Sequence, residues 1–92
     1  LTSLDEYRQF TAAVPVPVLA NLTEFGKTPQ FTLDELRDIG VRLALYPLTA
    51  FRAMNAAAKM TYDTLRQCGT QRDLIHQLQS RAELYEVLNY SP

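Results

Sequence analysis

Neither sign of charge dominates this sequence: nine Lys and Arg stand against ten Asp and Glu, for a formal net charge of -1. Nucleic acids and anionic membrane surfaces are held by clustered positive charge, so neither is expected as a partner. The one cysteine, Cys68, has no second thiol to pair with. No run of 18 or more apolar residues and no basic-plus-apolar leader occurs, so a reducing, cytoplasmic setting is the expectation. A Gly-rich phosphate loop and a nucleophile elbow are both missing, which removes the commonest nucleotide and hydrolase signatures. His76 lacks a second histidine or an acidic pattern at ligand spacing, so it reads as a structural or surface histidine. No linker, repeat or low-complexity tract divides the chain, and its opening residue is Leu1 rather than Met. What remains is the make-up of one globular domain, 47% hydrophobic and 21% charged.

Three hydroxyl residues punctuate the apolar segments. Ser3-Leu4-Asp5-Glu6 and Thr32-Leu33-Asp34-Glu35 have the form of capping boxes, predicting a helix to about Ala13 and a second of roughly two turns that stops before Gly40. Thr49 can cap a longer helix from about Ala50 to Gln67, with Phe51, Met54, Ala58, Tyr62 and Leu65 along one face. Gly69 ends it. Thr70 to Asp73 resembles another start, and Leu74, Ile75, Leu78, Tyr85 and Leu88 supply apolar positions for a final helix or pair of helices. Between these lie Val16 to Ala20 and Val41 to Pro47, apolar without alternation, as expected of parallel strands covered on both faces. Pro17 can only stand at the beginning of its strand. Strands alternating with helices define an α/β fold, and two parallel strands are too few for a stable sheet alone. A piece of a larger α/β protein is the expectation.

The first strand runs into Asn21, Thr23 and Glu24, followed by Gly26 and Pro29. Asn21 and Thr23 carry hydrogen-bonding groups suited to a carboxylate, yet Asn and Thr are also ordinary turn residues; the residues alone leave both readings open. After the second strand, Pro47-Leu48-Thr49-Ala50-Phe51-Arg52 brings a helix amino terminus and a guanidinium to the same end, which suits an anion. Arg52 read alone is equally a solvated surface residue. Asn21-Leu22-Thr23 also matches a glycosylation acceptor, a match that a buried strand end in a cytoplasmic protein makes spurious. Cys68, without a partner, reads as inert.

VPVLANLTEFGKTPQFTLDEL followed by VRLALYPLTAFRAMNAAA, with GTQRDLIHQLQSRAELYEVLNY behind them, resembles the carboxyl-terminal third of the 2-methylisocitrate lyases, in the isocitrate lyase and phosphoenolpyruvate mutase superfamily. The resemblance implies that residues 1–69 are the last two strands and adjoining helices of a (β/α)8 TIM barrel. It implies that residues 70–92 form carboxyl-terminal helices exchanged between subunits of a homotetramer. It implies cleavage of the tricarboxylate 2-methylisocitrate to pyruvate and succinate, in the methylcitrate route of propionate breakdown, with Mg2+ as cofactor. Asn21, Leu22, Thr23, Arg52 and Arg81 match the family's substrate-binding positions. Arg81 carries no such signal by itself and would otherwise pass for a solvated helix residue. The magnesium ligands and the catalytic cysteine of the family lie on earlier strands, so Cys68 is not that cysteine and the segment alone is expected to be inactive. Other enzymes of the superfamily (an isocitrate lyase, a phosphonomutase or an oxaloacetate hydrolase) and a small helical interaction module are the alternative readings.

Overall fold

Ser3 starts the first helix, α1 (Leu4–Ala13), by accepting the Glu6 amide at 3.1 Å. The box is not closed: Glu6 turns instead to Thr2, accepting its hydroxyl at 2.8 Å. At Val14 the backbone becomes extended, as a residue ahead of Pro15 must. The computed structural model in which these contacts occur describes residues 1–92. They form two compact units, Leu1–Met54 and Asn55–Pro92.

In the first unit the strands β1 (Leu19–Asn21) and β2 (Leu43–Leu45) pair in parallel, with Leu19 opposite Leu43 and Asn21 opposite Leu45. The paired segments are shorter than the apolar runs predict. Val16 is exposed and Pro17 offers no amide to a ladder, so pairing begins only where the Val18 carbonyl accepts the Arg42 and Leu43 amides at 3.0 and 3.3 Å. At the other end the Leu22 amide donates to the Leu45 carbonyl at 2.8 Å.

Between the strands, α2 (Leu33–Asp38) opens on a complete capping box: the Glu35 amide donates to the Thr32 hydroxyl at 3.1 Å and the Thr32 amide to the Glu35 carboxylate at 3.0 Å. It ends at Gly40, whose φ of 94° lies in the left-handed region that glycine enters freely. The Thr11 hydroxyl seals this corner by donating to the Ile39 carbonyl at 2.6 Å.

Side chains alternate across a strand, and here only one of the two faces is covered. Ala20 and Leu22 point into a cluster with Tyr7, Leu36, Ile39 and Val41, against which Leu4, Phe31 and Ala44 pack. Tyr7 and Phe31 meet edge to face with centroids 6.2 Å apart. On the opposite face Leu19, Leu43 and Leu45 are 48%, 59% and 42% exposed. The expectation of two covered faces is therefore corrected for this chain: the second layer that so apolar a strand calls for is not made by these residues.

The long helix α3 (Thr49–Cys68) begins in the first unit and runs into the second. Thr49 is its first residue rather than its cap. The expected apolar face is present but uncovered, with Phe51, Met54 and Tyr62 all exposed. Gly69, at φ 67°, closes the helix by donating its amide to the Leu65 carbonyl at 2.9 Å. A short 3-10 helix (Arg72–Gln77) follows, and then α4 (Arg81–Leu88), capped by a box between Ser80 and Glu83. Asn89 is left-handed at the end of α4, which brings the Tyr90 ring to 4.8 Å from that of Tyr85. No helix is long and apolar enough to cross a membrane.

Candidate functional site

Parallel pairing puts the carboxyl ends of β1 and β2 side by side, and the polar residues follow from both. Asn21 closes β1 with its side chain on the uncovered face, and the Thr23 hydroxyl donates to the Asn21 side-chain oxygen at 2.8 Å. That bond uses the acceptor of the amide and leaves its NH2 group as a donor for a ligand. Leu22 lies between them with its side chain 1% exposed in the core and its amide committed to Leu45. Its side chain is thus directed away from the strand end, as the two-residue period of a strand requires.

Glu24, the next polar residue, crosses to the start of α3. One carboxylate oxygen accepts the Thr49 hydroxyl, and the other faces Arg52 Nε at 3.6 Å. This second oxygen is buried and has no hydrogen-bond partner. Thr49 and Arg52 are three residues apart on α3 and so share one face of its first turn. The Thr49 hydroxyl is the main reason the Glu24 carboxyl is held below the ordinary carboxylate range, helped by the backbone amide of Glu24 and by the Arg52 charge, and opposed by partial desolvation. Phe25 completes the group: its ring lies under the Arg52 guanidinium, 5.3 Å from ring centroid to Cζ.

The structure thus joins Asn21 to Thr23, and Arg52 to Glu24, at the carboxyl ends of a parallel pair of strands. Arg81 belongs to the second unit, where it opens α4 as an exposed residue. Glu24, Phe25 and Thr49 are the members that sequence reading did not assign to the site. The hint available was the three-residue spacing of Thr49 and Arg52; no pattern links either to Glu24. Next to this cluster, Asn21, Thr23, Gly26, Lys27 and Thr28 border a shallow recess of about 270 Å³.

The chain is thereby an α/β protein segment whose polar groups gather at the carboxyl ends of parallel strands, where α/β enzymes place their ligands. Its relatives carry the assignment further. It is 61% identical over 90 residues to 2-methylisocitrate lyase of Escherichia coli strain K12, which covers 98% of this chain and 30% of the relative. The enzymes of the same name from Salmonella typhimurium strain LT2 and Bacillus subtilis strain 168 are 58% and 41% identical over the same share of this chain. No protein-family model matches. By sequence the chain belongs to the 2-methylisocitrate lyase family, and it spans about 30% of the length of the curated relatives it matches.

Proposed function

We propose that the protein containing this chain cleaves the carbon-carbon bond of 2-methylisocitrate to give pyruvate and succinate, and that this chain is its carboxyl-terminal, carboxylate-binding part. The observation that carries the reading is the 61% identity to a 2-methylisocitrate lyase over 98% of the chain. The strand ends supply a chemistry that fits it. The substrate is a tricarboxylate, and the free NH2 group of Asn21 and the guanidinium of Arg52 are donors suited to carboxylate oxygens; the Thr23 hydroxyl, which donates to Asn21 in this chain, would join them by turning its proton to the ligand. Arg81 is assigned to the same task, and Leu22 is kept as a neighbouring substrate-contact position without a free donor, its amide being given to Leu45.

The two parallel strands are proposed as the last two of a (β/α)8 barrel. The bare apolar face of Leu19, Leu43 and Leu45 supports that, since a closed barrel packs such residues in its interior. A homotetramer that exchanges carboxyl-terminal helices is proposed as the assembly; Val87 and Leu88 of α4, 71% and 63% exposed, are apolar surface that a neighbouring subunit would cover. A cytoplasmic location is proposed with it.

Magnesium is proposed as the cofactor of the whole enzyme, where a divalent cation would hold the oxygens of the part that becomes pyruvate. The residues of this chain do not fit its site. No group of three or more His, Cys, Asp or Glu side chains comes together, and the Glu24 carboxylate is already engaged by Thr49 and Arg52. The ligands are therefore assigned outside these 92 residues.

Product analysis of the complete protein tests the reading. Incubated with 2-methylisocitrate and Mg2+, it is expected to release pyruvate and succinate in equal amounts, and to use isocitrate less well. Failure to consume 2-methylisocitrate, or preference for isocitrate or a phosphonate, would move the protein elsewhere in the superfamily.

A further inference from the structure

An arginine that must meet a carboxylate with two parallel bonds needs its plane fixed beforehand, because a free side chain of this length gives up considerable rotational entropy on binding. Arg52 is 44% exposed and lies in the first turns of α3, with no layer packed over it. Two consecutive loop residues touch it from different directions. Glu24 meets the guanidinium at its edge, through Nε, and is itself anchored by the Thr49 hydroxyl. Phe25 meets it at its face.

Phe25 is also the residue least explained by packing. Its side chain is 91% exposed, and its backbone has φ 63°, a conformation that bulky non-glycine residues seldom adopt. Such an outlier, held in place next to a binding group, points to a role there. Edge and face contacts together leave the two terminal nitrogens of Arg52 without a protein partner.

We infer that Glu24 and Phe25 form a brace that sets the plane of Arg52, making them positioning residues for carboxylate binding. The inference rests on the proposed role of Arg52, and it distinguishes a brace from a competitor. A carboxylate occupying the terminal nitrogens would block a substrate; Glu24 occupies Nε and leaves them open. The buried, unbonded oxygen of Glu24 follows from the same arrangement, since it is turned toward Arg52 instead of toward water.

Two readouts on the complete protein separate the brace from the assigned function. The first needs no substrate: phenylglyoxal modification of Arg52, followed by peptide mass spectrometry, with exposed Arg66 of α3 as reference. Glu24→Gln and Phe25→Ala are expected to raise the labelling rate of Arg52 several-fold and leave that of Arg66 unchanged; Thr49→Val, which only frees the anchor, should act in the same direction. Equal labelling of Arg52 in wild type and variants overturns the brace whatever the activity. The second is the kinetics with 2-methylisocitrate. Glu24→Gln is expected to raise KM by about tenfold, the scale of one lost charge-assisted bond, while kcat changes by less than about twofold. Glu24→Asp should recover part of that loss. A lower KM in Glu24→Gln would make Glu24 a competitor and overturn the inference. Faster labelling with unaltered KM would keep the brace and remove Arg52 from substrate binding.

Discussion

A carboxylate that accepts a hydrogen bond only when the chain is folded resists protonation there, and Glu24 is held that way by Thr49. Its folded pKa lies below the ordinary 4.5, so its contribution to stability is fully present above about pH 4.5 and is lost as pH falls through the lower folded value. A carbon-13 NMR titration of the Glu24 carboxyl should give a midpoint under 4.5 that rises in Thr49→Val; a midpoint unmoved by the substitution would contradict the hydroxyl's part. Sequence reading singled out Asn21 and Thr23 because a polar end on an apolar strand is visible locally. It could not reach the Glu24 contact, which spans 25 positions and exists only once parallel pairing has set the two strand ends together. Leu22 shows a different limit. Read with its neighbours it looks like part of the strand end, whereas the alternation of side chains buries it. Leu36, 2% exposed in the same cluster, has the clearest packing role. Leu36→Ala is expected to cost roughly 2 to 5 kcal/mol in the complete protein, measured by denaturant unfolding.

Helix starts were the most legible elements, since a hydroxyl followed three residues later by an acid is a local device. Thr32 with Glu35 closes as read, while Ser3 caps alone because Thr2 draws Glu6 away. The Ser80 box went unread: the apolar positions from Leu74 to Leu88 look continuous, and the extended turn at Leu78 that separates the 3-10 helix from α4 has no glycine or proline to mark it. Ser80→Ala and Thr32→Ala should each cost about 1 kcal/mol, with Ser80→Thr nearly silent in the same melts. Gly40 is the corresponding stop signal. An added Cβ would sit 3.2 Å from the Thr11 hydroxyl, on a backbone at φ 94°. Gly40→Ala is therefore expected to destabilise by about 1 to 3 kcal/mol, and a neutral effect on the melting temperature would show that this corner relaxes freely.

At the scale of the molecule, the uncovered faces follow from how few strands the chain pairs. Val16 to Ala20 and Val41 to Pro47 carry the unalternating apolar content expected of strands covered on both faces, yet they pair only with each other, in a ladder of three residues each. Separated from the remainder, the chain leaves Leu19, Leu43, Leu45 and the Phe51 to Tyr62 face of α3 in water. It should elute as associated species in size-exclusion chromatography and lack a cooperative circular-dichroism melt; a monomer that melts cooperatively would oppose the view that it needs further layers. The claim that joins residue, element and molecule is that these strand ends hold a substrate carboxylate through Arg52. Steady-state kinetics of the complete protein on 2-methylisocitrate, wild type against Arg52→Ala, tests it most directly. Leaving the substrate carboxylate without its charged partner should lower kcat/KM by about 30-fold or more. An Arg52→Ala enzyme with wild-type kcat/KM would contradict it.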